Sequence, residues 1–522
     1  MSGLPATWAH SELKEIADIG PKADVKDISE SSLVHFVPMA SVAENFGGID
    51  LSQLRPLGEV RKGYTFFSEG DVLFAKITPC MENGKGALVP RLEHTYAFGS
   101  TEFHVLRPTQ AVASDWLKHF LSQPSFRKVA RQNMTGTAGQ LRVPTKWLQT
   151  TLMPIPPRAE QTRIVAKLEE LLTDLDAGVA ELKAAQKKLA QYRQSLLKAA
   201  VDGSLTAEWR KNNQPTETGA QLLERILKER RARWEEKQLA KFKEQGKTPP
   251  KDWQKKYPKP VQPDTTNLPK LPENWTWSTV DELLADIETG KSFKCEERPP
   301  RHDEVGIVKV SAVTWGEYNE AESKTCHDKS MVRPEVFVRT GDFLFSRANT
   351  IDLVGACVIA GKITKNIMLS DKILRLLLAD ENLKPWLLIL LRSEIGRKYI
   401  EELASGNQDS MRNIGQDRLR QIPIPIPPGR EITIATEILQ TALAASKDQD
   451  ISIEHSLKQA AAQRQNILRA AFAGELVPQD PNDEPASVLL ERIRAERAAQ
   501  TKPKSRGRKK AAPEFEDPAL SG

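Results

Sequence analysis

Eight residues, Ala285-Asp286-Ile287-Glu288-Thr289-Gly290-Lys291-Ser292, come nearest to a catalytic motif. They fit a loosened phosphate-binding loop with Ala in place of the usual first Gly. Such a loop works when a buried strand leads into it and a helix leaves it, so that backbone N–H groups and the helix N-terminus face the phosphates. Residues 280–287 read as more helical than strand-like, and Pro299-Pro300 leaves little room for a helix afterwards. The matching stretch near the start, Ala17-Asp18-Ile19-Gly20-Pro21-Lys22, lacks Gly-Lys-Ser. The expectation is a loop beside a strand, not a nucleotide site. Methyl transfer to a DNA amine would need a glycine-rich cofactor pocket and an Asn/Asp-Pro-Pro-aromatic loop. Pro156-Pro157 and Pro427-Pro428 instead follow Ile-Pro, with no aromatic after them. Cys80, Cys295, Cys326 and Cys357 form no CxxC, and the eight His residues show no ligand spacing, so no metal is expected. The chain reads as non-catalytic.

Two short segments instead carry residue types that suit nucleic acid. Thr135-Gly136-Thr137-Ala138-Gly139-Gln140-Leu141-Arg142 has a later counterpart, Ser405-Gly406-Asn407-Gln408-Asp409-Ser410-Met411-Arg412. Each reads as a flexible, small-polar loop ending in Arg. Gln, Asn and Arg read base edges bidentately, and small hydroxyl residues suit phosphate contacts. A second recurring element follows Gly-Asp, with Lys76 in one place and Arg347 with Asn349 in the other. The DNA-contact candidates are therefore Lys76, Lys85, Thr135, Thr137, Gln140 and Arg142, with Arg347, Asn349, Lys372, Asn407, Gln408 and Arg412. An ordinary loop with a solvated Arg is the competing reading for each.

These recurrences belong to a duplication of the whole chain. Leu4-Pro5-Ala6-Thr7-Trp8 returns as Leu271-Pro272-Glu273-Asn274-Trp275, and Gly70-Asp71-Val72-Leu73-Phe74 as Gly341-Asp342-Phe343-Leu344-Phe345. Pro154-Ile155-Pro156-Pro157 returns as Pro425-Ile426-Pro427-Pro428, and Leu222-Leu223-Glu224-Arg225-Ile226 as Leu489-Leu490-Glu491-Arg492-Ile493. A solenoid repeats every ~20–50 residues; collinear matches more than five times farther apart mean two copies of a complete module. Each copy runs globular part, Ile-Pro-Pro, long helix, shorter helix.

The long helices carry an a/d seam. Leu168, Leu175, Leu182, Leu189 and Leu196 fall seven apart, and Val165, Leu172, Val179, Gln186 and Arg193 precede them by three. That is a coiled-coil signature sustained over five heptads. The helix is expected to start after Pro157 and stop near Gly203, a rod of roughly 65 Å at ~1.5 Å per residue. The second copy offers Leu439, Leu443, Ile453, Leu457 and Ile467, with polar a positions at Asp450 and Arg464. Polar a residues cost stability but select register and partner. Pairing of the two helices with each other, antiparallel, is the economical arrangement; packing of each on its own globular part is the alternative.

The globular parts mix short β-branched runs with helix-like stretches near 114–131 and 384–403, which predicts α+β domains with bent sheets. The expected boundaries are 1–157, a globular part; 158–203, a long helix; 204–270, a charged helix over 219–245 and an extended Pro/Lys linker; 271–428, a second globular part; 429–474, a second long helix; 475–500, a short helix; and 501–522, a disordered basic tail. The formal net charge of +6 permits a polyanionic partner without demanding one. The N-terminus does not read as a signal peptide, and no run of ~20 apolar residues predicts a membrane span. Reduced thiols and a cytoplasmic setting follow.

Taken in order, the duplicated Ile-Pro-Pro and heptad helix, residues 464–476 (RQNILRAAFAGEL), 484–497 (EPASVLLERIRAER) and the Lys/Pro linker into Leu271-Pro272-Glu273-Asn274-Trp275 resemble the specificity subunits of type I restriction-modification systems. The resemblance covers nearly the whole chain. It implies two target-recognition domains, each reading half of a bipartite duplex DNA site, with an antiparallel coiled coil as spacer. It also implies two methyltransferase subunits and restriction/translocase subunits as partners. S-adenosylmethionine, ATP and Mg²⁺ would belong to those partners. Recognition domains in that family vary, so no base-contacting residue carries over by motif. A coiled-coil scaffold with two protein-binding heads and an ATPase using Gly290-Lys291-Ser292 remain the alternatives from other classes.

Overall fold

The computed structural model describes residues 3–25, 28–94, 96–137, 139–408 and 411–500. The basic tail expected over 501–522 lies outside the described residues. The described residues form two compact units, one built from 3–182 together with 455–500, the other from 183–454.

In the first unit, Ala9–Glu12 pairs antiparallel with Leu152–Ile155, tying the two ends of the globular part together. Its core sheet is wholly antiparallel, in the order Ala17–Ile19, Phe103–Pro108, Val72–Ala75, Gly86–Leu88. Val72-Leu73-Phe74-Ala75 is a continuous apolar run with no alternation, and all four residues are buried because both faces of the strand are covered. A second sheet runs Leu54–Pro56, Leu33–Val37, Ala97–Gly99, Thr65–Phe67, with its central pair parallel. The helical stretch near 114–131 is two helices, Ser114–Ser122 and Pro124–Gln132. Pro124 causes the break: it forces Gln123 into extended backbone and then begins the second helix.

The second unit repeats this plan. Thr276–Thr279 pairs with Pro423–Ile426. The core sheet runs Leu284–Thr289, Ile373–Leu378, Phe343–Ser346, Cys357–Ile359, again antiparallel. A three-stranded sheet places Val305–Val308 between Ser323–Cys326 and a parallel Asn366–Met368. The helices are Lys384–Arg392 and Glu394–Leu403, separated by Ser393, whose hydroxyl accepts from Gly396 N at 3.2 Å as an N-cap. In both units the strands divide among several small sheets, with helices beside them, as an α+β domain. The helical reading of 280–287 is half wrong. Helix ends at Leu283, and Leu284–Thr289 is a strand, because pairing with Ile373–Leu378 outweighs the local pattern.

The long helices span Arg158–Val201 and Gly429–Ala473. They pair antiparallel. In the first unit Arg464 reaches Asp176, and Leu168 and Leu172 share a core with Ile467, Leu468 and Ala471. In the second unit Arg193 reaches Asp450, and Leu197 and Ala200 pack with Ala435 and Leu439. The polar a residues thus meet opposite charge. Of the seam positions, Leu168, Ile467 and Leu439 are buried, while Leu175, Leu182, Leu457, Leu189, Leu196, Leu443 and Ile453 are half-buried. Toward its ends the first helix departs from the heptad. Ile164, Leu168 and Leu172 repeat every four residues, and Leu197 is buried where Leu196 is not, because these turns also pack on a globular core.

Each unit repeats two tryptophan contacts, one from the residue before its first strand to a long helix and one from the first of its two short helices to its closing strand. Trp8 Nε1 donates to Glu160 Oε2 and Trp275 Nε1 to Glu431 Oε2, both at 3.0 Å. Trp116 Nε1 donates to Pro154 O at 3.1 Å and Trp386 Nε1 to Pro425 O at 2.8 Å. Burial raises the Glu160 carboxyl above its ordinary range, opposed by donors from Trp8 and Gln479. Gly474 in the first unit and Gly203 in the second end the long helices at φ +74° and +79°. A Cβ at Gly474 would lie 2.4 Å from Pro5, and one at Gly203 2.7 Å from Pro272, so only Gly fits.

His119 is buried against Lys118, Asp115 and Arg464, and its Nε2 has no hydrogen-bond partner among the described residues. Burial first, then Lys118, depress its pKa from 6.5 to about 4; Asp115 opposes them and Arg464 adds the smallest lowering effect. The unfolded chain therefore holds the extra proton between those values, and stability falls as pH drops from 6.5 toward 4. The fall amounts to up to about 3 kcal/mol at ~1.4 kcal/mol per pH unit. His119→Leu is expected to flatten that limb, read as the urea midpoint against pH; an identical acid limb in the variant contradicts the assignment.

Candidate nucleic-acid interface

The Gly-Asp element and the small-polar segment, more than 50 residues apart in sequence, meet in each unit. In the first, the strand Val72–Ala75 leaves its sheet at Lys76, whose N donates to Glu102 O at 2.9 Å and whose O accepts from Val143 N at 2.8 Å. In the second, Arg347 N donates to Lys372 O at 2.9 Å and Arg347 O accepts from Ile414 N at 2.8 Å. The same backbone bonds are made twice, by residues at corresponding places in the two copies.

The segments expected to be flexible loops are hairpins. Thr135 and Arg142 exchange backbone bonds of 3.0 and 2.8 Å, and Ile77 bridges to Arg142. In the second unit Ser405–Gln408 and Met411–Asn413 pair, and Ala348–Asn349 extends them to three strands with Asn349 opposite Arg412. The physical cause is a glycine at the same place in both. Gly136 and Gly406 sit at φ +130° and +129°, where a Cβ would approach Gln140 O to 2.8 Å and Met411 O to 2.5 Å. Asp409, Ser410 and Ala138 are outside the described residues, as is the side chain of Asn407.

Around this shared scaffold the side chains differ. Thr135, Thr137 and Gln140 are exposed on the first hairpin, and Gln408 on the second. Arg142 is half-buried and held by Glu102, with Nε 2.9 Å from Oε2 and Nη2 2.9 Å from Oε1. That hydrogen bond, with Arg142's charge, lowers the Glu102 carboxyl below its ordinary range. Arg142 thus ties the hairpin base to Glu102 while its side chain stays 42% exposed. Where the first unit has Glu102, the second has Lys372, exposed and accepting from Arg347 N through its backbone. Arg347 is half-buried, its Nε 3.3 Å from Asn413 Oδ1; Asn349 accepts from Thr350 N at 2.9 Å; Arg412 is half-buried. Lys76 is half-buried beside Glu102. Lys85 donates its ammonium to Met39 O at 3.1 Å, which ties down a neighbouring turn.

Sequence reasoning missed Glu102 and Met411. Glu102 lies 40 residues from the Arg it pairs with, and only the sheet brings them together. Met411 is 58% exposed on the second hairpin, an apolar surface of the kind that contacts a thymine methyl. The Gly290-Lys291-Ser292 motif does follow a strand, but no helix begins after it, and Ser292 Oγ is bound by Asp371. A Cβ at Gly290 would lie 1.7 Å from Leu369 O, so this Gly serves close backbone packing.

Residues 5–184 match the family described as "Type I restriction modification DNA specificity domain". The chain is 32% identical over 469 residues to the type I restriction enzyme EcoEI specificity subunit of Escherichia coli, covering 81% of this chain and 76% of that one. It is 30% identical over 335 residues to the EcoAI specificity subunit of Escherichia coli, covering 56% and 53%. Among solved structures, a chain from a study of complex assembly and conformational transition of the type I R-M system matches with a TM-score of 0.62 at 20% identity, covering 91% of this chain and 100% of that one. That match shows the fold. A doubled α+β plan, paired long helices and a relative this similar over most of its length together place the chain in the family of type I restriction enzyme specificity subunits.

Proposed function

We propose that this chain reads a bipartite sequence in duplex DNA, one half with each globular part, and directs partner subunits to methylate adenine and to restrict with ATP. Reading heads are assigned to residues 1–157 and 271–428, and their contacts to the exposed hairpin residues Thr135, Thr137, Gln140 and Gln408 with the neighbouring Lys76, Arg347, Asn349, Lys372 and Arg412. One observation carries the reading: the same hairpin is built twice on corresponding backbone bonds, yet Glu102 with Arg142 in one copy faces Lys372 with Arg347 in the other. A shared frame with unlike side chains recognises two unlike half-sites.

The chain itself performs no chemistry in this reading. Two methyltransferase subunits and the restriction/translocase subunits are the partners, and S-adenosylmethionine, ATP and Mg²⁺ are theirs. In support, the one phosphate-loop-like stretch has its Ser292 occupied by Asp371. The assembly works in the cytoplasm; no helix among the described residues is long and apolar enough to cross a membrane.

The test exchanges residues 1–155 for those of a relative with a different site, then maps methylated adenines in a host carrying the complex. One half of the recognised sequence is expected to change while the other stays. A change in both halves, or in neither, overturns modular reading.

A further inference from the structure

The charged segment between the two copies is a structured, basic knob, and its cations fall into two classes. Between residues 219 and 270 there are fourteen Lys and Arg against seven Asp and Glu, an excess of seven where the whole chain carries +6. The helix Gly219–Glu244 is neutralised over its first part. Arg225 pairs with Glu217, Lys228 with Glu224, Arg231 with Glu235, Arg233 with Glu229 and Lys237 with Asp286. Beyond Gln238 the pattern stops. Lys241, Lys243, Lys247, Lys251, Lys256 and Lys259 are exposed, and none has an acidic side chain within ion-pair distance among the described residues.

The segment that carries these six lysines is folded. The linker, expected to be extended, folds back on the helix. Trp253 stacks on Trp234 with centroids 5.7 Å apart and planes 21° apart, Phe242 meets Trp253 edge-on at 6.2 Å, and Tyr257 meets Trp234 at 5.4 Å. Buried Arg230 anchors the return by donating to Tyr257 Oη and to Pro258 O at 3.1 Å, while its Nε donates to Leu284 O at 2.9 Å. The aromatic cluster packs a lysine-bearing linker against a lysine-bearing helix, so repulsion among their charges is opposed by packing.

We infer that this knob is a second DNA-binding element, contacting phosphates of the duplex without reading its sequence. Duplex DNA carries a charge every ~1.7 Å, and lysines that neutralise phosphates release condensed counterions. The residue type supports backbone contact over base reading. All six are Lys, a compact point charge on a flexible stem, and none is Arg, whose fork suits bidentate recognition. The inference rests on the DNA reading proposed above and adds to it a source of affinity separate from the hairpins.

The experiment uses the full-length chain and two fluorescent duplexes of equal length, one containing the site mapped by methylation and one scrambled, titrated across a KCl series. The variant is K241Q/K243Q/K247Q/K251Q/K256Q/K259Q, with the corresponding six Lys→Arg set as its conservative control. The slope of log affinity against log salt is expected to fall by about 0.9 for each phosphate that is no longer neutralised, so four such phosphates lower it by about 3–4. Affinity for both duplexes should drop by a common factor, roughly tenfold or more at moderate salt, with their ratio unchanged. The Lys→Arg set should keep the slope. If the wild-type chain binds duplex but the Gln variant has the same slope, the knob plays no part in DNA binding and the hairpin reading survives. A drop confined to the specific duplex overturns the inference too, as does an unchanged slope with abolished co-purification of the methyltransferase, which makes the knob a protein-docking face. A wild-type chain that binds neither duplex sinks both readings.

Discussion

Arg375→Met should destabilise the second unit by about 3–5 kcal/mol, the cost of removing one partner from a buried ion pair. Arg375 has a side chain 3% exposed in the core sheet. It donates to Asp342 Oδ2 at 2.8 Å, to Glu288 Oε2 at 2.8 Å, to Phe337 O at 2.7 Å and to Glu335 O at 2.9 Å. Met fills similar volume but strands the Asp342 carboxylate, 12% exposed, with Arg339 N as its remaining partner. The corresponding pair in the first unit is Arg107 with Asp71, where Arg107 is 36% exposed. Asp71 is 1% exposed but keeps Ser68 N as a donor at 2.8 Å, and Arg107→Met strands this one carboxylate where Arg375→Met strands two carboxylates and two carbonyls, so it should cost less, about 2–3 kcal/mol. Amide exchange, followed separately in peptides from Phe343–Ser346 and from Val72–Ala75, distinguishes the two. Equal acceleration in both variants would show that the number of stranded partners does not control the difference. Adding Asp342→Asn to Arg375→Met should restore part of the stability, because the stranded group is then neutral.

The second large effect is expected at Glu431, in the first turn of the second long helix. Its buried carboxylate accepts from Trp275 Nε1 at 3.0 Å, Thr206 Oγ1 at 2.6 Å and Arg210 Nε at 2.9 Å. Two separate segments of the second unit, 206–210 and Trp275, converge on it. Glu431→Ala leaves an indole N–H, a hydroxyl and a guanidinium without their acceptor. Arg210 is one-fifth exposed and can rehydrate, so the cost is about 3 kcal/mol, at the low end for a buried pair. Glu160 in the first unit accepts from Trp8 and Gln479 and has no Arg, so Glu160→Ala should cost less, about 1–2 kcal/mol. Peptides from Thr276–Thr279 should lose exchange protection in the Glu431 variant while those from Ala9–Glu12 keep it. Protection lost in both, or in neither, contradicts the clamp.

Much of the architecture is legible in the order of the residues. The helix expected to begin after Pro157 and to stop near Gly203 runs Arg158–Val201, with Gly203 at φ +79°. The charged stretch 219–245 is helical over Gly219–Glu244. Helix periodicity and its terminators act over a few residues, so they are written locally. The paired Gly-Asp and hairpin elements are legible only as recurrences. Their meeting in space depends on Ile77 bridging to Arg142 and Asn349 to Arg412. The strand Leu284–Thr289 is hidden from a local reading because its partner, Ile373–Leu378, lies some ninety residues away.

Read alone, the residues dictate a doubled chain, two long amphipathic helices and a pair of glycine-pivoted segments rich in base-reading side chains, because repetition, the heptad and positive-φ glycine are properties of near neighbours. Packing decided the rest. It brought Glu102 to Arg142, gave Lys85 to a backbone carbonyl, set Arg193 against Asp450, and folded a lysine-bearing linker back on Trp234. Each of these outcomes depends on a partner supplied from elsewhere in the chain, and a charge or a donor is committed only once its partner is within reach.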